Sequence, residues 1–155
     1  MPGTPHATLP EIIYVFDGYC GWCWGISEVV TRLARDFSDR FRFSALSGGL
    51  ITGERIGPLG DFSAYIEKAI PRVAQMTGAV FSEAYVARIR DRTTQQDSQV
   101  PAAVFAAVLA AKPGTDTVQL AHDILVLNFT EGRDMSRYDE YAGLLTAYGL
   151  DAKQT

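Results

Sequence analysis

The hydrophobic pattern changes from strand-like to helical within the N-terminal third of the chain. Ile12 to Phe16 form a short β-branched and aromatic run that ends at an Asp-Gly pair, which predicts a buried strand followed by a turn. Apolar residues then recur at helical spacing from Ile26 to Phe37, so a helix is predicted to begin at Cys20 to Cys23. Phe41 to Leu46 predict a second strand. A strand, a helix and a strand in one sheet are normally connected in parallel, so this part predicts a parallel βαβ unit.

The pattern beyond this unit is helical. An apolar stripe from Phe62 to Val73 predicts a helix that Pro71 kinks or breaks and that Gly78 ends. Ser82 is suited to cap a short helix, because its hydroxyl can accept a hydrogen bond from a backbone N–H of the first turn. Further helices are predicted to start at Pro101, at Thr115 or Asp116, and at Ser136.

The last predicted helix carries a stripe of tyrosines. Tyr138, Tyr141 and Tyr148 fall on one side of it together with Leu145, and Gly149 is its expected C-terminal stop. Such a stripe predicts core or interface packing rather than catalysis.

Composition limits the class of protein. The 155 residues suit one domain, and the apolar fraction of 47% and charged fraction of 21% are those of a globular chain with a core. The 14 Lys and Arg against 18 Asp and Glu give a net charge of −4, so no basic surface for nucleic acid is expected. A chain of this size buries enough surface to fold without disulfides or a metal ion, so its cysteines are free for chemistry.

The N-terminus and the longest apolar runs indicate a compartment. No run reaches the ~20 apolar residues needed to cross a bilayer, so no membrane association is expected. The first ten residues contain three prolines and lack a basic and an apolar region, which predicts a short flexible leader without an export signal. We therefore expect a cytoplasmic protein, where a cysteine pair is more often catalytic or metal-binding than a structural disulfide.

Cys20 and Cys23 are the residues with the clearest chemistry. Two thiols at this spacing in the first turn of a helix can close a disulfide and open it again. The free backbone N–H groups and the helix dipole favour an anion there, so the pKa of Cys20 should fall from about 8.5 into the range of about 3.5 to 7.5. Cys20 is therefore the predicted nucleophile, and Cys23 the thiol that resolves the mixed disulfide.

Other interpretations of the pair remain open. Half of a zinc site would need two more ligands, and the only histidines are His6, in the leader, and His122, in a helix. Redox chemistry is favoured over a metal site, and two buried bystander cysteines are the remaining alternative.

The residues next to the cysteine pair indicate a function less clearly. Trp22 fits an apolar surface for an extended polypeptide and core filling equally well, whereas Trp24 favours packing. Asp17 favours an ordinary turn over proton relay or a raised thiol pKa.

Longer strings of residues resemble a known family. The strings are Tyr14-Val15-Phe16-Asp17, Cys20-Gly21-Trp22-Cys23-Trp24-Gly25, Leu46-Ser47-Gly48-Gly49-Leu50, Thr52-Gly53-Glu54-Arg55, Gly57-Pro58, Thr77-Gly78, Asp97-Ser98 before Pro101, and Glu131-Gly132-Arg133-Asp134. With them the chain resembles the DsbA-like thiol-disulfide oxidoreductases of the thioredoxin superfamily, and in particular the FrnE-type branch of predicted protein-disulfide isomerases.

The resemblance implies a fold and roles for residues. The fold is α/β, with a leader at 1–10, a thioredoxin-like βαβ unit with the redox motif at 11–60, an all-helical insertion at 61–149 and a tail at 150–155. Cys20 would be the attacking thiol and Cys23 its partner. Substrate binding or tuning of the pair would involve Gly21, Trp22, Trp24 and Asp17.

The resemblance also predicts elements for which this sequence has no residues. A thioredoxin-like fold continues after the insertion with a β-hairpin, preceded by a cis-proline, and a final helix. The last proline here is Pro113, and few residues follow Gly149. We expect that the chain is truncated, or alternatively that a partner supplies these strands.

These observations predict a thiol-disulfide oxidoreductase acting on protein or small-molecule dithiols and disulfides, without a metal or organic cofactor. Whether it oxidises, reduces or isomerises is left open by the sequence. The alternatives are a glutathione-dependent isomerase on the same fold and a non-catalytic binding fragment. Exposed strand edges also predict a homodimer.

Overall fold

The computed structural model describes residues 9–150. His6 and all but residues 9, 10 and 150 of the predicted leader and tail lie outside the described residues. The first elements are strand β1 (Glu11–Phe16), helix α1 (Gly21–Asp36) and strand β2 (Arg42–Ser47). The strands pair in parallel, with Tyr14 opposite Ala45, so the predicted parallel βαβ unit is confirmed.

The sheet of β1 and β2 is buried on one face only. Tyr14 and Phe16 are 8% and 2% exposed, whereas Ile13 and Val15, which point to the other face, are 52% and 58% exposed. Parallel sheets are normally covered on both faces. The prediction of a buried first strand therefore holds for one face only, because the second face is open in the described residues.

Helices make up most of the remaining chain. The α-helices are α2 (Ser63–Thr77), α3 (Glu83–Ile89), α4 (Gln99–Ala111), α5 (Thr117–Phe129) and α6 (Ala142–Ala147). Short 3-10 helices span Gly53–Arg55, Leu59–Phe62 and Tyr138–Tyr141. Two further strands, β3 (Gly57–Pro58) and β4 (Gln95–Gln96), form a small antiparallel pair. This pair was not predicted, and it places one short strand inside the segment expected to be all-helical.

The predicted helix caps are largely confirmed. The Ser82 hydroxyl accepts a 3.1 Å hydrogen bond from the backbone N–H of Tyr85. Asp116, rather than Thr115, caps α5 by accepting 3.0 Å hydrogen bonds from two backbone N–H groups. Gly78 ends α2 in the left-handed conformation, with φ of 76°. These caps depend on residues within one turn of each other, which is why they can be predicted locally.

Of the kink or break predicted at Pro71, the break is wrong. Helix α2 continues through this residue to Thr77. Val73, which follows Pro71, is 2% exposed. We attribute the continuity to packing, because burial of apolar residues on both sides of Pro71 offsets the hydrogen bond that proline cannot donate.

The predicted start of the last helix at Ser136 is also wrong. The carboxylate of Asp134 accepts hydrogen bonds from both the backbone N–H and the hydroxyl of Ser136, which forms a turn. The chain then passes through a 3-10 helix before α6 begins at Ala142. Tyr138 is 61% exposed while Tyr141 is 0% exposed, so the tyrosine stripe is divided between surface and core.

Helix α5 forms the centre of the core and packs against α1, β2 and α4. Ile124, Leu125 and Phe129 are all 0% exposed. Among the described helices, none combines the length and the apolar character required to cross a lipid bilayer.

Candidate active site

Cys20 is the residue that caps the first helix. Its backbone is extended, with φ of −83° and ψ of 104°, and its sulfur accepts a 3.2 Å hydrogen bond from the backbone N–H of Cys23. A thiolate is a stronger acceptor than a thiol, and the first N–H groups of a helix have no partner within the helix. The sulfur of Cys20 therefore occupies the position where a helix best stabilises an anion.

The two thiols have opposite acidity. The Cys23 thiol donates to the Cys20 sulfur, and with the backbone N–H groups of Cys23 and Trp22 it lowers the pKa of Cys20 to about 7, although burial and the charge of Asp17 act against it. Donation of that same hydrogen bond, followed by burial, raises the pKa of Cys23 well above its usual range. The pair therefore has one thiol that ionises near neutral pH and one that holds its proton.

Both thiols are free and partly buried. Cys23 lies in the first turn of α1 and packs against the core. Its carbonyl oxygen accepts a 3.0 Å hydrogen bond from the hydroxyl of Tyr14 in β1. The second cysteine is thus held by the strand beneath it.

Asp17 joins two loops behind the cysteines. It is 4% exposed, and its carboxylate oxygens accept hydrogen bonds of 2.9 Å from the backbone N–H of Tyr19 and 2.8 Å from that of Leu50. The hydrogen bond from Tyr19 closes the turn that the Asp17-Gly18 pair predicted. The negative charge of Asp17 also raises the pKa of both cysteines, as a smaller contribution. A role in proton relay stays a prediction.

Two buried polar residues of the helical segment hold the same loops. The side-chain amide of Asn128 donates a 2.8 Å hydrogen bond to the carbonyl oxygen of Gly18. Ser98 is 0% exposed, and its hydroxyl accepts a 2.9 Å hydrogen bond from the backbone N–H of Ile51. The backbone N–H of Ser98 donates a 2.8 Å hydrogen bond to the carbonyl oxygen of Ile51. Asn128 was not predicted as a functional residue, and Ser98 was predicted only as part of the resemblance. A polar residue between apolar neighbours in a helix was the available signal for Asn128.

The two tryptophans have different surroundings. Trp22 is 42% exposed beside Cys20. Trp24 stacks on Phe129 and on His122, with ring centroids 6.0 Å and 5.9 Å apart, and its indole N–H donates to the carbonyl oxygen of Val80. Trp24 is therefore partly buried against the core, whereas Trp22 is accessible to a ligand of Cys20.

Gly21 and His122 have ordinary packing and hydrogen-bond partners in other residues of the protein. A methyl group on Gly21 would lie 3.8 Å from the Phe81 ring, which is an ordinary distance. His122 Nδ1 lies 3.0 Å from the hydroxyl of Ser27, so the ring has a polar partner within the protein. Among residues 9–150, no group of three or more His, Cys, Asp or Glu side chains is arranged to hold a metal ion.

Comparison with known proteins supports the assignment of the fold. No protein-family model and no curated protein matches the chain. Among solved structures, the cytosolic disulfide reductase DsbM from Pseudomonas aeruginosa is similar, with a TM-score of 0.76 and 26% identity over 90% of this chain and 64% of that chain. The same protein with GSH has a TM-score of 0.70 and 25% identity over 86% of this chain and 64% of that one.

A second similar protein is described as a protein disulfide isomerase from Nitrosomonas europaea. Its TM-score is 0.75 with 18% identity, over 95% of this chain and 68% of that one. At this identity the likeness concerns the fold alone.

The chain spans 64% of the length of DsbM. It shares with these structures an α/β architecture and, in its own sequence, carries a Cys-x-x-Cys pair at the first helix. Assignment to the FrnE-type branch stays a prediction. The described residues have the DsbA-like fold, and the chain belongs to the thioredoxin superfamily.

Proposed function

We propose that the chain is a thiol-disulfide oxidoreductase in which Cys20 attacks and Cys23 resolves. The observation that carries the proposal is the hydrogen bonding of the Cys20 sulfur by the N–H and the thiol of Cys23, which lowers the pKa of Cys20 to about 7. At neutral pH a large fraction of Cys20 is then thiolate, which is the form that attacks disulfides. Cys23 keeps its proton until it is needed.

The reductive reaction proceeds in two exchanges. The Cys20 thiolate attacks one sulfur of the substrate disulfide, a mixed disulfide forms, and the released substrate thiolate takes a proton from water. Cys23 then loses its proton and attacks the Cys20 sulfur. The second substrate thiolate leaves, and the chain retains a Cys20–Cys23 disulfide. A dithiol, or two molecules of a low-molecular-weight thiol, returns the pair to its reduced form.

The direction proposed is reduction, in the cytosol. The similar protein DsbM is described as a cytosolic disulfide reductase, and a reducing compartment would keep this pair as dithiol. All electrons and bonds in the exchange belong to sulfur, so the proposed reaction requires no metal or organic cofactor. The substrates are protein or small-molecule disulfides.

Glutathione-dependent isomerisation is the second candidate. The observation in its favour is the structure of DsbM with GSH. A single thiol or serine would be sufficient for a glutathione-dependent isomerase, whereas this chain has two thiols of opposite acidity. We therefore favour dithiol exchange.

The proposed function assigns a role to each of the two main segments of the chain. The βαβ segment 11–60 would supply the cysteines and the segment 61–149 would form the helical insertion over them. We also propose that the chain forms a homodimer, because Ile13 and Val15 of β1 leave an apolar face open.

Substitution of the two cysteines tests the proposal. Cys20→Ser keeps a good N-cap residue, so the helix should form while insulin reduction by the chain and dithiothreitol is lost. Cys23→Ser should instead accumulate a mixed disulfide between Cys20 and substrate, detectable by mass. Turnover by the Cys20→Ser chain at the unsubstituted rate would refute the proposal. Thermal unfolding of each variant serves as the control for folding.

A further inference from the structure

A cavity lies directly beside the attacking thiol. Its volume is about 240 Å³, and Cys20 and Trp22 form one of its walls. The opposite wall comes from α2 and from the segment before α3, through Ile66, Ile70 and Phe81. A group bound in this cavity would therefore be adjacent to the sulfur that exchanges disulfides. We refer to it as the Cys20 cavity.

The walls of the Cys20 cavity are apolar. Among the described residues that line it, none is an Asp, Glu, Lys, Arg or His, and the lining residues with a polar group in the side chain are Cys20, Trp22 and three tyrosines. Val73 and Tyr85 at its base are 2% and 5% exposed and belong to the packed interior. A carboxylate entering the cavity would lose water without gaining a positive charge and would lie beside the Cys20 thiolate, which is strongly unfavourable.

The size of the cavity is that of a side chain. Pockets for whole drug-sized ligands usually measure about 300 to 1,000 Å³. The Cys20 cavity is smaller, at about 240 Å³. One bulky aliphatic or aromatic side chain fits this description better than a complete small molecule.

The rim continues the apolar surface beyond the cavity. Trp22, Leu50 and Tyr65 are 42%, 46% and 74% exposed. The backbone of Leu50 is tied to the cysteine loop by its 2.8 Å hydrogen bond to Asp17, so this part of the rim is held against the site. An extended chain that places one side chain in the cavity would cover these exposed residues with its flanking backbone.

We propose that the Cys20 cavity binds a bulky apolar side chain next to the disulfide of a polypeptide substrate. The proposal rests on the proposed function and names its preferred substrate class. It ranks such polypeptides above glutathione disulfide, because the carboxylates of glutathione find no positive charge in the cavity walls.

A pair of matched peptides tests the preference. Each substrate is a disulfide-linked dimer of a short neutral peptide, with Leu before the cysteine in one and Ser in the other. The full chain, fully reduced and freed of reductant, is mixed with each dimer, and the peptide thiol released in one turnover is measured. Rates are divided by those of dithiothreitol with the same dimer, which removes differences in intrinsic reactivity. We expect the Leu dimer to react about tenfold faster than the Ser dimer, and faster than glutathione disulfide.

Substitutions in helix α2 test whether the preference for the Leu dimer comes from the Cys20 cavity. Ala69 lines the cavity on α2, so Ala69→Leu should fill it and bring the ratio of the two rates close to one. Ala64→Leu is the matched control, because it makes the same change at an exposed position of the same helix, and it should keep the ratio. Tyr65→Gln removes part of the exposed rim without burying new atoms and should lower the ratio severalfold.

The possible results separate the two proposals. A reduced chain that reacts equally with both peptide dimers, or fastest with glutathione disulfide, overturns the cavity assignment and leaves the proposed function standing. A chain that reacts with none of the three disulfides overturns both. A ratio that persists in both Ala69→Leu and Tyr65→Gln would place the preference outside this cavity and overturn the assignment.

Discussion

The hydroxyl of Tyr14 donates a 3.0 Å hydrogen bond to the carbonyl oxygen of Cys23. Tyr14 lies in the first strand and is 8% exposed, while Cys23 lies in the first turn of the helix that follows. The bond joins the sheet directly to the backbone of Cys23. The orientation of the cysteine turn is therefore supported from beneath as well as by its own helix.

Removal of this hydroxyl should destabilise the chain modestly. For Tyr14→Phe we expect a loss of about 0.5 to 1.5 kcal/mol in the free energy of unfolding, which is the usual net value of one hydrogen bond. Urea unfolding measures it. Tyr138→Phe is the control, because Tyr138 is 61% exposed and its hydroxyl should contribute little. Equal losses in the two variants would contradict the supporting role of Tyr14.

Alkylation of Cys20 should follow a titration with its midpoint near neutral pH. The pKa of Cys20 is lowered to about 7 by hydrogen bonds from the Cys23 thiol and from backbone N–H groups. The rate of reaction with iodoacetamide should thus rise through about pH 7 and level off above it. The Cys20→Ser chain should react slowly throughout this range, because burial still raises the pKa of Cys23 when the Cys20 sulfur is absent. A wild-type midpoint at the ordinary thiol value of about 8.5 would refute the predicted thiolate.

The stability of the reduced chain should depend on pH with a maximum near the ordinary thiol pKa of about 8.5. The pKa of Cys20 is lowered on folding, so its contribution grows as pH rises above about 7 and is complete above the unfolded value. The pKa of Cys23 is raised on folding, so its contribution is lost as pH rises above the unfolded value. Together, the two effects predict that the free energy of unfolding increases as the pH rises to the ordinary thiol pKa and decreases above it.

The gain below the maximum should be at most about 1 kcal/mol, because Cys20 is only partly buried and solvent screens its interactions. Urea unfolding in excess reductant measures it at a series of pH values. Subtraction of the same series for the Cys20→Ser, Cys23→Ser double variant removes the contribution of other groups. A difference that stays constant with pH would be inconsistent with the two shifted thiols.

Replacement of the buried carboxylate of Asp17 should affect both stability and acidity. Asparagine offers one acceptor oxygen, so Asp17→Asn leaves either the N–H of Tyr19 or that of Leu50 without its partner, at a cost of about 1 to 3 kcal/mol. Loss of the negative charge should also lower the pKa of Cys20. The midpoint of alkylation should therefore move to lower pH. Asp39→Asn, at an exposed position, should change neither quantity.

A methyl group at Gly132 should be poorly tolerated. Gly132 has φ of 65°, and a Cβ there would lie 2.7 Å from the backbone carbonyl carbon of Ala84. Gly132→Ala should therefore cost more than the ~1 to 2 kcal/mol expected for a left-handed residue alone. Gly78→Ala provides the comparison, because Gly78 has φ of 76° and no described atom within 4 Å of its Cβ position. Thermal unfolding that ranks the two variants equally would contradict the close contact between α3 and the turn after α5.

The sequence by itself determined the features that depend on neighbours within a few residues. The βαβ unit, the cap at Ser82, the stop at Gly78 and the placement of Cys20 at a helix start all follow from side chains within about one turn of each other. The opposite acidity of the two thiols is a local effect of the same kind. For this reason the chemistry of the pair could be predicted before its surroundings.

Tertiary structure decided the features that join distant parts of the chain. Asp17 accepts from Leu50 and Asn128 donates to Gly18 across separations of 33 and 110 residues, and a hydrophobic pattern carries no information on such pairs. The continuity of α2 through Pro71 and the exposure of one sheet face likewise depend on what packs against each element. Burial of apolar surface stabilises contacts between elements whatever their separation along the chain. The walls of the Cys20 cavity were therefore determined by packing rather than by the local hydrophobic pattern of the sequence.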